Sequence, residues 1–96
     1  MLENKFKTNL IKEIKKCFPN SMVLHLDPTE IQGIPDLIVL YKNHWAVLEC
    51  KKNKEASIRP NQEYYIKIMD DMSFGRIIYP ENKELVIYEL QQAFES

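Results

Sequence analysis

The chain has 96 residues, enough for one domain with one modest core, at the small end for independent stability. Its 45% apolar and 28% charged content is that of an ordinary soluble globular chain, and no apolar run approaches the roughly 20 residues that span a bilayer. A net charge of −1 gives no support by itself for binding nucleic acid, but residues 1–59 carry ten Lys/Arg against seven Asp/Glu, while residues 60–96 carry three against seven. The basic excess lies around the first helix and around Lys51, Lys52, Lys54 and Arg59, and a local basic surface can bind phosphates on a nearly neutral protein. For the first helix taken alone, a solvated face of lysines is the plainer reading. The start, Met-Leu-Glu-Asn-Lys-Phe-Lys, is amphipathic and has no signal-peptide core, so a complete cytoplasmic protein is expected. Cys17 and Cys50 form no C-x-x-C motif and read as small, partly buried thiols.

In chain order, Leu2, Phe6, Leu10, Ile11, Ile14 and Phe18 recur at helical spacing and predict a helix over 2–18, stopped by Pro19-Asn20-Ser21. Met22 to Leu26 reads as a strand, followed by a polar connection from Asp27 to Ile34 that delivers the chain to Pro35. The apolar run Asp36 to Tyr41 predicts a second strand covered on both faces, and Lys42-Asn43-His44 a turn. Trp45 to Lys51 follows as a third strand with the composition of a central one. After a polar loop from Lys52 to Arg59, Pro60 suits the first turn of a helix running to about Met72. Arg76 to Tyr79 is a short strand. The last segment, Asn82 to Phe94, fits either a helix or, over Leu85 to Tyr88, more strand; the helix is favoured. The order α-β-β-β-α-β-α describes one α/β domain over 1–96, a mixed sheet with helices on its faces.

The most informative residues are Asp36, Glu49 and Lys51. Side chains alternate along a strand, so Glu49 and Lys51 share a face, and a hairpin would bring Asp36 and Glu49 together at one end. Two carboxylates and an ammonium on apolar strands are costly to bury without a metal or a reaction to offset them. Plainer readings exist: Asp36 could merely close a loop, and Glu49 could pair with Lys51 as a strand neighbour. The combination favours a metal site that hydrolyses phosphodiesters. Gln62 falls on the apolar side of the second helix with Tyr65, Ile66 and Met69, and spacing leaves open whether it serves a site or caps the helix backbone. The same spacing makes Tyr65 a core residue, although it and Tyr64 could stack on bases. His25 and His44 have no zinc-ligand spacing; His44 reads as a turn residue, and His25 could contact DNA, although an exposed or satisfied histidine is the plainer reading.

Pro35-Asp36 and Glu49-x-Lys51 resemble the PD-(D/E)XK signature of restriction-endonuclease-like nucleases. The longer pattern resembles the VRR-NUC branch, the virus-type replication and repair nuclease domain: Gly33-Ile34-Pro35-Asp36, then Leu48-Glu49-Cys50-Lys51-Lys52, then Arg59-Pro60-Asn61-Gln62. The resemblance covers nearly the whole chain. It implies a restriction-endonuclease-like core and a Mg²⁺-dependent endodeoxyribonuclease, with Mn²⁺ as a substitute, acting on branched DNA such as Holliday junctions. It further implies a homodimer and a phage or bacterial protein working in the host cytoplasm. Asp36 and Glu49 would be metal ligands, joined by the backbone carbonyl of Cys50 and by Glu3 at the start of the first helix. Lys51 would assist the attacking water, and Gln62 would belong to the catalytic set. Glu13 reads instead as an i,i+3 partner of Lys16. Lys52, Lys54 and Arg59 are the expected phosphate contacts. The alternatives are a non-catalytic DNA- or partner-binding module on the same fold, and a nuclease acting on linear or nicked duplex DNA.

Overall fold

The computed structural model describes residues 3–95 in seven elements: α1 (Glu3–Cys17), β1 (Met22–His25), β2 (Leu37–Tyr41), β3 (His44–Cys50), α2 (Pro60–Met72), β4 (Gly75–Ile78) and α3 (Lys83–Glu95). Leu2, assigned to the first helix from sequence, lies outside the described residues. Helix α1 ends at Cys17 because Phe18 precedes Pro19, whose ring disfavours helical geometry one residue back. Asn20 then reverses the chain at φ 74°.

The four strands lie in the order β1-β2-β3-β4. The first three are antiparallel, and β4 joins β3 in parallel, so the sheet is mixed as expected. The β2–β3 turn is tighter than the sequence suggested. His44 pairs with Tyr41 inside the ladder, leaving a two-residue turn with Lys42 at φ 55°. His44 is thereby held against the ring of Phe94, with centroids 5.6 Å apart. At the other end of the hairpin Asp36 falls just outside β2, although its carbonyl still accepts the Leu26 N–H at 2.9 Å.

The register sorts the side chains by face. Leu37, Val39, Ala46, Leu48 and Cys50 point to one side, where Phe6, Leu10 and Ile14 of α1 and Val86, Ile87, Leu90 and Phe94 of α3 bury them in the main core. Helix α2 lies on the opposite face and packs on β3 and β4. Gly75 permits this approach, since a Cβ there would stand 2.8 Å from the Ile66 carbonyl. Among the described residues no helix covers the β1–β2 half of that face. Met22 and Leu24 are exposed there, and Ile38, Leu40 and Trp45 only half-buried. The expectation that β2 is covered on both faces is therefore met on one face only.

Candidate functional site

The end of the β2–β3 hairpin, the loop before β2 and the first turn of α2 enclose a cavity of about 270 Å³ lined by Asp36, Glu49, Lys51, Gln62, Arg59 and Glu3, among others. Register explains the meeting. Leu37 pairs with Leu48, so the next step outward sets Asp36 beside Glu49. Asp36 Oδ2 accepts the Cys50 backbone N–H at 2.9 Å, which fixes the carboxylate across the strand ends. Lys51 follows Glu49 by two residues and shares its face, with Nζ 3.7 Å from Glu49 Oε2.

Gln62 closes the arrangement. Its Nε2 donates to Glu49 Oε2 at 3.2 Å. Its Oε1 accepts from Lys51 Nζ and from the Arg59 backbone N–H, each at 3.0 Å. One amide thus bonds both to the start of α2 and to the Glu49–Lys51 pair. Pro60 at the first helical position lets the chain turn in without losing a hydrogen bond. The loop before β2 fits tightly against this turn. Gly33 adopts φ +93°, and a Cβ on it would stand 2.6 Å from Asn61 Cγ.

Glu49 is 4% exposed and sits on a central strand, so it is not an edge residue relieved by water. Burial, then the neighbouring Asp36 carboxylate, pushes its pKa up to about 7, while the Lys51 ammonium pulls the other way. Burial and the same Asp36 charge push the Cys50 thiol up to about 12, so it stays protonated and inert at neutral pH. Its side chain belongs to the core, and any contribution to a cation would come from its main-chain carbonyl.

Among the described residues no three His, Cys, Asp or Glu side chains converge as ready metal ligands. Glu3 lines the cavity without closing on Asp36 and Glu49 as a third ligand. Two carboxylates at a half-open pocket are still a donor set suited to a hard divalent ion that keeps waters and takes phosphate oxygens. The raised Glu49 has the chemistry such an ion would relieve. Lys52 lines an adjoining hollow with Glu3 and Lys51, Arg59 lines the carboxylate cavity, and Lys54 is exposed beyond both.

Three further placements differ from expectation or were missed. Glu13 pairs with Lys83 of α3 at 3.0 Å and not with Lys16, because it faces across the helix–helix contact. Tyr65 is only half-buried and meets Tyr64 edge-on at 5.1 Å, since α2 turns Ile66 most fully to the sheet. Lys7 is not marked by the sequence as a site residue, yet its Nζ stands 3.5 Å from Asp36 Oδ1. The available signal was its place one helical turn after Glu3.

No family model matches the sequence, and no curated protein matches it. Among solved structures the chain is similar to a VRR_NUC domain protein, with a TM-score of 0.72 and 17% identity over 99% of this chain and 89% of that one. The two chains share one fold. At that identity the likeness concerns the backbone frame alone, in which the Asp36–Glu49–Lys51 corner is set by the hairpin and α2. No helix among the described residues is long and apolar enough to cross a membrane.

Proposed function

We propose that the chain is a divalent-metal-dependent endodeoxyribonuclease that hydrolyses phosphodiesters in branched DNA. The observation that carries this reading is the buried Glu49 carboxylate held beside Asp36, with Lys51 and Gln62 bonded into the same pocket. Burying Glu49 beside the half-buried Asp36 carboxylate opposes stability, and a cation site would explain why the fold tolerates it. Asp36, Glu49 and the Cys50 carbonyl would hold Mg²⁺ or Mn²⁺, with Glu3 on the wall of the same cavity. When bound, the ion supplies positive charge against the charge developing on the scissile phosphate.

The chain's own groups supply the rest. Gln62 fixes Lys51 Nζ at 3.0 Å, so the ammonium faces the pocket in a defined direction. From there it can orient the attacking water or stabilise the phosphate in the transition state. Asp36, tied to the Cys50 N–H, keeps one oxygen turned to Lys7 and the cavity. Arg59 and Lys52 flank the pocket and suit phosphate contacts, with Lys54 further out on the same loop. The reading includes a homodimer, whose two-fold axis would match the two symmetric cuts of a four-way junction. It also includes action in the cytoplasm of a phage host or bacterium.

The test is cleavage of a four-way junction with Mg²⁺ and with EDTA. Wild type should cut only with the metal, and Glu49→Ala and Lys51→Ala should each slow cutting by about 100-fold or more. A wild type that binds junctions yet never cuts in Mg²⁺ or Mn²⁺ would reduce the chain to a binding module. Variants that cut at the wild-type rate would remove the residue assignment. Competition among junction, flap and linear duplex identifies the preferred shape.

A further inference from the structure

We propose that the groove between α1 and β1 is a binding track for the sugar–phosphate backbone of nucleic acid, leading into the carboxylate pocket. This rests on the nuclease reading and extends it to a surface outside the pocket. The groove encloses about 590 Å³ and is walled by Lys7, Thr8, Lys12 and Lys15 of α1 with His25 of β1.

Three observations separate it from an ordinary solvated lysine face. First, no acid lines it. Helix α1 carries five lysines and two glutamates, and both glutamates are turned elsewhere: Glu3 to the carboxylate cavity and Glu13 to Lys83. Lys12 and Lys15 consequently have no ion-pair partner among the described residues. Second, the surface is concave. Half-buried Ile11 provides an apolar bed along which lysine stems can lie with their ammonium groups free. Third, the groove abuts the candidate site at one ion pair. Lys7 lines the groove and also stands 3.5 Å from Asp36 Oδ1.

Dimensions fit the same occupant. Lys7 and Lys15 are eight positions apart, about 12 Å along a helix. That spans three to four steps of a duplex strand at about 3.4 Å each. A row of lysine point charges with no shaped recognition pocket suits a repeating anion, read by charge and not by sequence. An acidic protein surface could meet the same charges, but nothing would then require the track to end at Asp36.

The test is fluorescence anisotropy with a labelled duplex of about 20 bp in EDTA, where no metal enters, at salt between about 50 and 300 mM. Lys12→Gln/Lys15→Gln should weaken binding tenfold or more at the lowest salt. It should also flatten the slope of log affinity against log salt by about 2, one phosphate contact per lysine. Lys67→Gln, an exposed lysine on α2, should bind as wild type, and Lys12→Arg/Lys15→Arg should retain affinity. An unchanged slope in the Gln pair, equal loss in Lys67→Gln, or loss in the Arg pair would overturn the proposal. So would a wild type that binds no duplex or junction. A wild type that binds through these lysines but never cuts in Mg²⁺ keeps the track and removes the nuclease reading. One that cuts while the Gln pair binds normally removes the track alone.

Discussion

Glu49 shows most clearly how a single residue couples stability to chemistry. Its pKa lies near 4.5 in an unfolded chain and near 7 in the fold. Between those values the folded state binds the extra proton, so stability falls as pH rises from about 4.5 through about 7. Metal-free protein should therefore lose about 2 kcal/mol of unfolding free energy between pH 5 and pH 8 from this group, measured by urea denaturation. Glu49→Gln should flatten that dependence and unfold later at pH 8, while abolishing cleavage. Equal pH dependence in the two proteins would remove this account of Glu49. Asp36, Glu49 and Lys51 were legible in sequence because strand alternation fixes which side chains share a face. Lys7 was not, because helical spacing says nothing about which strand end a helix residue will meet. Gln62 was half legible: its place in the first turn was clear, but not that one amide would reach the helix backbone, Lys51 and Glu49 together.

Whole elements were easier to read than their ends. All seven were recoverable, since α1 has a clean apolar stripe and each strand is bounded by turn residues. Boundaries shifted where tertiary partners decide them, as at His44, drawn into β3 by the hairpin turn and its stacking on Phe94. The C-terminal segment was ambiguous because Leu85 to Tyr88 satisfies both periods, and burial of Val86, Ile87 and Leu90 selects the helix. The loop before β2 offers the sharpest test at this scale. Gly33→Ala combines an unfavourable φ with a 2.6 Å approach to Asn61, so the loop and the first turn of α2 must separate. The expected cost is about 2 kcal/mol or more in thermal or urea unfolding, with cleavage falling further than stability alone explains. A variant as stable and active as wild type would show that this contact does not position the site.

At the scale of the molecule, α2 covers only half of its sheet face. Met22 and Leu24 remain exposed beside half-buried Ile38, Leu40 and Trp45, a contiguous apolar strip of the kind that subunits bury. If the homodimer forms there, light scattering should give twice the chain mass for wild type and the monomer mass for Leu24→Lys. A wild type that scatters as a monomer at micromolar concentration with full activity would remove the dimer. This strip was invisible in sequence, where β2 reads as a strand covered twice. The order of parts along the chain carries one more consequence. Every residue assigned to the pocket lies between Glu3 and Gln62, whereas β4 and α3 contribute only burial and support. Lesions after the first turn of α2 should therefore behave as temperature-sensitive alleles, curable by cooling, while lesions in the pocket should be null at every temperature.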